Sequence, residues 1–252
     1  MGPLMTLNFS EEFSEDLSAF PPEQTVFPIA GTELRVLDGD HPLLTANRAS
    51  IRENWEREIA ANPALFDGRM VLQHRLKLSE EGIVSEAHTV PFSTFMWWRR
   101  QPERKGAIHL FAYPVLESSD GALVAIRMGP HTANAGQVYF AAGSLEPEDV
   151  VDGRCDIDGN MAREVMEETG LHLSDAVAGE GLHASHIRRS VSIFKLFRFD
   201  MTADEMVDSI GRHMLVADDK EISGAVAIRS ADPAAQPYNV AMLPIIDWYF
   251  NR

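Results

Sequence analysis

An α/β fold is what this sequence predicts, on three observations. Strand-like and helix-like runs interleave from about residue 106 onward. A helix and two alternating strands form a separate block before that point. Between a small-residue loop and an apolar residue stands a short acidic helix, stopped by Gly170 in the usual position of a helix terminator.

In chain order, residues 1–24 are polar, acidic and punctuated by proline, and read as a loose arm. Ile51, Trp55 and Ile59 recur at four-residue spacing, which predicts an amphipathic helix over 46–61, ended by Asn62-Pro63. Residues 70–78 and 83–90 alternate like two strands around a turn at 79–82. The polar stretch 101–106 is the best boundary, dividing an α+β extension over 25–105 from a main domain over 106–252. Strands follow at 108–116 and 122–128, joined by Ser119-Asp120-Gly121, then a short run at 136–140 and the acidic helix. A strand fits 190–199, a helix fits 202–214 with Thr202 and Glu205 as a capping box, and 226–229 and 243–250 read as a strand and a helix.

The acidic helix carries the chemistry. Glu164, Glu167 and Glu168 stand at i, i+3 and i+4, one face of a helix. Carboxylates so close repel one another unless a cation neutralises them. A hard divalent ion with oxygen ligands, Mg2+ or Mn2+, is the natural candidate. Arg163 precedes Glu167 by four residues and can orient a carboxylate of the cluster.

The segment from Gly143 to Leu171 resembles the signature of the Nudix hydrolases, G-x5-E-x7-R-E-U-x-E-E-x-G-U with U aliphatic. The second half matches at Arg163, Glu164, Val165, Glu167, Glu168, Gly170 and Leu171. The first half departs from it. Asp149 stands where Glu is expected, and Arg163 follows Gly143 by 20 positions rather than 14. The extra residues fall within 150–160, whose Gly and Asp content reads as an inserted loop. Asn62-Pro63 and Asp67-Gly68 resemble, more loosely, a segment of the subgroup acting on nucleoside-diphosphate sugars; a helix stop and turn explain them equally well.

The resemblance implies a Nudix-type α/β/α sandwich with a mixed sheet, and a metal-dependent pyrophosphohydrolase. Its substrate would be a small-molecule nucleoside diphosphate joined to another moiety, a nucleotide sugar being favoured. The products would be a nucleoside monophosphate and a phosphorylated remainder. Glu164, Glu167 and Glu168 would hold the metal. Glu167, Glu168 or an acid of a later loop, Asp219 or Glu221, would act as base. Arg163 would orient a carboxylate, and Gly143 would let the backbone approach the ligand. Arg127 stands where relatives place a phosphate-facing arginine. The run Gly136-Gln137-Val138-Tyr139-Phe140 is similar to part of the coenzyme A pyrophosphatase signature, an alternative substrate class. A non-catalytic nucleotide sensor on the same fold is the rival reading.

Composition bounds these readings. The net charge of −16 argues against nucleic acid or an anionic membrane as partner. No signal peptide or membrane-length apolar run is evident, and the match of Met1 to Thr6 to a myristoylation pattern is weak. The lone cysteine, Cys155, excludes a disulfide within the chain and fits a reducing cytoplasm; it reads as a bystander thiol. The first hundred residues are also candidates for a homodimer interface. Phe95, Trp97 and Trp98 read as core aromatics flanked by solvated Arg99 and Arg100, and His183 and His186 as loop residues.

Overall fold

The computed structural model describes residues 17–80, 82–217 and 221–252. Asp219, the residues of the N-terminal lipidation pattern and most of the acidic arm lie outside them.

The elements run β1 (Phe27–Ile29), β2 (Thr32–Val36), α1 (Pro42–Ala61), β3 (Arg69–Ser79), β4 (Gly82–Pro91) and α2 (Phe92–Arg99). There follow β5 (His109–Glu117), β6 (Leu123–Met128), β7 (Val138–Tyr139), β8 (Val150–Val151), β9 (Arg154–Cys155) and α3 (Ile157–Thr169). The chain closes with β10 (Val177–Ala178), β11 (Leu182–Ile187), β12 (Ser190–Arg198), α4 (Ala203–Val216), β13 (Ile222–Ile228) and α5 (Leu243–Asn251).

Two mixed sheets result. The larger has the order β1-β11-β12-β5-β6-β13, with β10 beside β12 and β7 beside β6. Its β12–β5 pair is parallel and its other pairs are antiparallel. The smaller has the order β3-β4-β2-β9-β8. Thus β1, from before residue 106, belongs to the larger sheet, and β8 and β9, from after it, belong to the smaller. Helix α3 packs on β5 and α4 on β13, while Trp248 of α5 sets its ring against His183 and Phe194. The mixed-sheet α/β architecture expected from the sequence is the one observed.

Local causes explain the boundaries. Helix α1 starts four residues earlier than the apolar periodicity indicates. Pro42 occupies its first turn, and the His41 side chain accepts the Leu43 N–H at 3.1 Å. Helix α3 is capped by Asp156, which accepts from Gly159 N at 2.9 Å, and ends at Gly170 with φ 68°. The Thr202–Glu205 capping box of α4 is present as expected.

Two sequence readings need correction. Residues 150–160 are not a plain loop. β8 and β9 form a hairpin whose turn, Asp152-Gly153, has both φ values positive, at 49° and 74°. Asp-Gly between strands favours that kind of turn. The rest of the segment starts α3. His183 and His186 likewise lie in β11, paired across to β12, rather than in a loop. Among the described residues no helix is long and apolar enough to cross a membrane.

Candidate active site

The site grows from the small-residue loop before the hairpin. An isolated bridge from Phe111 to Ser144 fixes this loop against β5. Val71 N donates to Leu145 O at 2.7 Å and ties it to β3. Ala142 and Gly143 therefore face α3. There is no room beside Gly143: a Cβ built there would lie 2.7 Å from the carboxyl carbon of Glu164. Its value here is close approach, not a left-handed backbone.

The α3 carboxylates divide as the helical spacing requires. Ile157, Met161 and Val165 bury the core face of α3, and Glu164 and Glu168, one turn apart, are buried beside them. Glu167 is turned outward, its side chain half exposed. Arg163 joins the group: its Nη2 lies 2.8 Å from Glu164 Oε1 and its Nη1 2.9 Å from Glu167 Oε2. Two more bonds run from Arg163 to Asp149, Nε to Oδ1 at 3.2 Å and Nη2 to Oδ2 at 3.0 Å.

Asp149 was not among the residues chosen as functional from sequence, yet it organises the site. Its Oδ2 also accepts from Glu146 N at 2.8 Å and Asn160 Nδ2 at 2.9 Å. It occupies the position of the expected motif acid, which was the available signal. A shorter carboxylate reaches the arginine because the inserted hairpin brings it back onto α3.

One guanidinium serves three carboxylates, Asp149, Glu164 and Glu167, with Glu168 close by, which leaves a surplus of negative charge. Burial pushes the Glu164 carboxyl up to about 8, with Glu167, Asp149 and Glu146 adding to the rise and Arg163 opposing it. Burial drives Glu168 well above the carboxylate range, reinforced by the charges of Glu164 and Glu221 and resisted by the backbone of Ala142. Glu168 Oε2 is buried without a hydrogen-bond partner. An orphaned oxygen in an all-oxygen, anionic donor set suits a hard divalent cation. Among the described residues, however, no three acidic or histidine side chains are drawn together as a ready-made metal cage. Glu164 and Glu167 are instead held by Arg163.

The carboxylates line an open cleft of about 1060 Å³. Its walls also include Gly143, Glu146, Glu221 and residues from the N-terminal part of the chain, among them Phe66, Arg69, Phe92, Phe95 and Arg99. The sequence-chosen residues Arg163, Glu164, Glu167, Glu168, Gly143 and Glu221 thus converge on one cleft. Arg127 does not line it. It is part-buried in β6, with Nη2 donating to Gln236 Oε1 at 2.7 Å.

Of the two arginines read as solvated flanks, Arg100 is exposed and Arg99 is not. Arg100 pairs with Glu58 on α1, and Arg99 lies in the cleft wall with Nη2 donating to Asn134 Oδ1 at 3.1 Å. Arg99 is the last residue of α2 and Arg100 its C-cap, so the two neighbours meet different partners. Trp98 is core, fully buried with Nε1 donating to Arg104 O at 2.7 Å. Phe95, by contrast, lines the cleft.

No family model and no curated protein matches the chain. Among solved structures it is similar to a MutT protein from Methanosarcina mazei Go1, with 17% identity over 56% of this chain and 92% of that one at a TM-score of 0.37. It is similar to the protein DR0079 from Deinococcus radiodurans, with 13% identity over 72% of this chain and 99% of that one at a TM-score of 0.45. A third carries the family's name, a NUDIX hydrolase from Nitrosomonas europaea, with 19% identity over 56% of this chain and 88% of that one at a TM-score of 0.35.

Proposed function

We propose that this chain is a metal-dependent Nudix pyrophosphohydrolase that cleaves a nucleoside diphosphate joined to a further moiety, a nucleotide sugar being the favoured class. The observation that carries the reading is the gathering of Asp149, Glu164 and Glu167 about Arg163, with Glu168 buried one turn from Glu164, beside the Ala142-Gly143 backbone in the wall of a ligand-sized cleft. Such a surplus of partly buried negative charge is costly for stability alone and is typical of a catalytic centre.

Glu164, Glu167 and Glu168 would hold Mg2+ or Mn2+, which when bound would screen the diphosphate oxygens and acidify a water. Arg163 sets the orientation of Glu164 and Glu167 by holding one oxygen of each. Glu221 lies in the cleft wall, its charge felt by Glu168. On this reading Glu221 would take the proton as water attacks phosphorus. A phosphorus–oxygen bond to water forms, the bridging phosphorus–oxygen bond breaks, and a nucleoside monophosphate leaves with a phosphorylated remainder. Gly143 keeps the wall low enough for the diphosphate to approach the backbone. The N-terminal residues 25–105, read as an extension, supply part of the same cleft and thereby bear on the choice of substrate.

The test is the double variant Glu167→Gln, Glu168→Gln. Its circular dichroism should match the wild type while turnover of diphosphate substrates falls by at least about 100-fold, the scale of a lost acid–base or charge-stabilising group. Undiminished turnover would remove the assignment of the site.

A further inference from the structure

The cleft carries charge of both signs. Besides the α3 carboxylates its wall includes Arg99, Arg104 and Arg188. In a chain of net charge −16 most arginines with a strong partner find a carboxylate: Arg75 pairs with Glu86, Arg100 with Glu58 and Arg229 with Asp120. The side chains of Arg99 and Arg104 have neutral partners instead, and the Arg188 backbone N–H donates to Glu23 Oε1 at 2.8 Å. Arg99 donates to Asn134 Oδ1 at 3.1 Å. Arg104 donates from Nε to Arg99 O at 3.1 Å and from Nη1 to Arg188 O at 3.3 Å. Among the described residues no acidic side chain forms an ion pair with any of the three.

Their proximity is unfavourable in the free protein. The Arg99 guanidinium is held below its ordinary value by burial and then by the charges of Arg104 and Arg100. Arg104 is held down by burial and by Arg188. Arg104 and Arg188 also occupy left-handed backbone, with φ of 49° and 48°. That region disfavours a long side chain relative to Gly or Asn. Clustered cations in a strained backbone are the arrangement expected where a ligand supplies the compensating charge.

A ring floor joins the two charged groups. His109, Phe111 and Tyr113 alternate along β5 and share one side. His109 and Phe111 are 4.9 Å apart and stacked, and Phe111 and Tyr113 are 4.9 Å apart edge-on. Phe95 lies 4.5 Å from His109, and the Arg99 guanidinium 5.6 Å from the Phe95 ring. At about 3.3 Å per residue, the strand from His109 to Tyr113 spans roughly 13 Å. At the far end Tyr113 is close enough to Glu168 for that carboxylate to raise its hydroxyl further above the ordinary range, after burial. His109 Nε2 is buried without a partner, an unsatisfied polar atom beside the floor.

We propose that Arg99, Arg104 and Arg188 bind a second anionic group of the substrate, a phosphate or carboxylate set apart from the scissile diphosphate, while the rings between carry its planar or sugar portion. This rests on the pyrophosphohydrolase reading for the acidic end. Three convergent guanidiniums favour a dianionic phosphate over a single carboxylate.

Matched pairs differing only in that group provide the test: NADP+ against NAD+ for phosphate, and UDP-glucuronate against UDP-glucose for carboxylate. Wild-type enzyme with Mg2+ should turn over the anionic member of a pair with kcat/KM at least 10-fold higher. The preference should fall to within 3-fold in Arg104→Asn and Arg188→Asn. Asn tolerates left-handed backbone, so these variants keep the fold. Preference in the NADP+ pair alone assigns a phosphate, and in the UDP-glucuronate pair alone a carboxylate. Equal turnover within both pairs, or a preference that survives both variants, overturns this inference and leaves the hydrolase reading standing. Absence of all turnover counts against the hydrolase reading instead. Calorimetric binding of the same pairs to chelated protein then decides the arginine site: tighter binding of an anionic member, lost in the variants, supports it, and equal binding overturns it.

Discussion

Asp149 and Arg163 are joined by two parallel bonds, Nε to Oδ1 at 3.2 Å and Nη2 to Oδ2 at 3.0 Å, across 14 residues of chain. The pair locks the turn after the small-residue loop onto α3 and fixes the guanidinium that in turn holds Glu164 and Glu167. Asp149 is almost fully buried, so removing it strands a charged group rather than relaxing a surface contact. Asp149→Ala should lower unfolding stability by about 2–4 kcal/mol. It should also reduce kcat by more than the fraction of unfolded protein explains. Urea denaturation and steady-state kinetics on the same preparation check both effects.

Gly143→Ala separates a steric cause from a conformational one. Its backbone is not left-handed, so Ala costs little in φ and ψ; the new Cβ would meet the Glu164 carboxyl at 2.7 Å. Glu164 must turn away, and activity should fall at least 10-fold while the melting temperature moves by only a few degrees. Unchanged kcat/KM would mean that the position of Glu164 does not matter to turnover.

The buried carboxylates predict a thermal response to metal that needs no substrate. A cation bound between groups as poorly neutralised as Glu164 and Glu168 stabilises the folded state by mass action. Millimolar Mg2+ or Mn2+ should therefore raise Tm in the wild type. In Glu164→Gln, Glu168→Gln the increase should vanish, because the donors have lost their charge. Scanning calorimetry with and without chelator reads the difference.

His41 makes a pH prediction at a site remote from the carboxylates. Burial lowers its pKa to about 4, with His74 and His88 beside it adding to the fall, and its neutral ring accepts the Leu43 N–H that caps α1. Between about 4 and the unfolded value of about 6.5 the unfolded chain binds a proton that the folded chain does not. Its contribution is intact above 6.5 and is lost as pH falls through that window, by about 3 kcal/mol in all. His41→Asn keeps a capping oxygen but does not titrate. Denaturant midpoints at pH 7.5 and pH 5 should differ less in that variant than in the wild type.

What could be read from the sequence, and what could not, follows from the range of the forces involved. The α3 site was legible because helix periodicity alone puts Glu164, Glu167 and Glu168 together, and because Gly170 stops the helix. The long strands β3, β4, β5 and β12 were legible in the sequence, β3 and β4 from alternation. β1 and β2 are three and five residues long, and their pairing is with distant partners, β11 and β4, so no local pattern announces them. The hairpin β8–β9 carried a local signal in Asp152-Gly153 that its polar surroundings obscured. The cleft arginines were hidden for a different reason: Arg99, Arg104 and Arg188 meet only through tertiary packing, and nothing in their spacing relates them.

The central claim, a metal-dependent diphosphate hydrolase centred on α3, is met most directly by one assay. Purified protein is incubated with Mg2+ or Mn2+ and a panel of nucleotide sugars, ADP-ribose, dinucleoside polyphosphates, coenzyme A and nucleoside triphosphates, and released phosphorylated products are resolved. The account predicts turnover of nucleoside diphosphate derivatives to a nucleoside monophosphate, abolished by chelator and by Glu167→Gln, Glu168→Gln. Metal-dependent binding of the same compounds by folded protein, with no product formed over hours, would contradict it and identify a sensor in place of an enzyme.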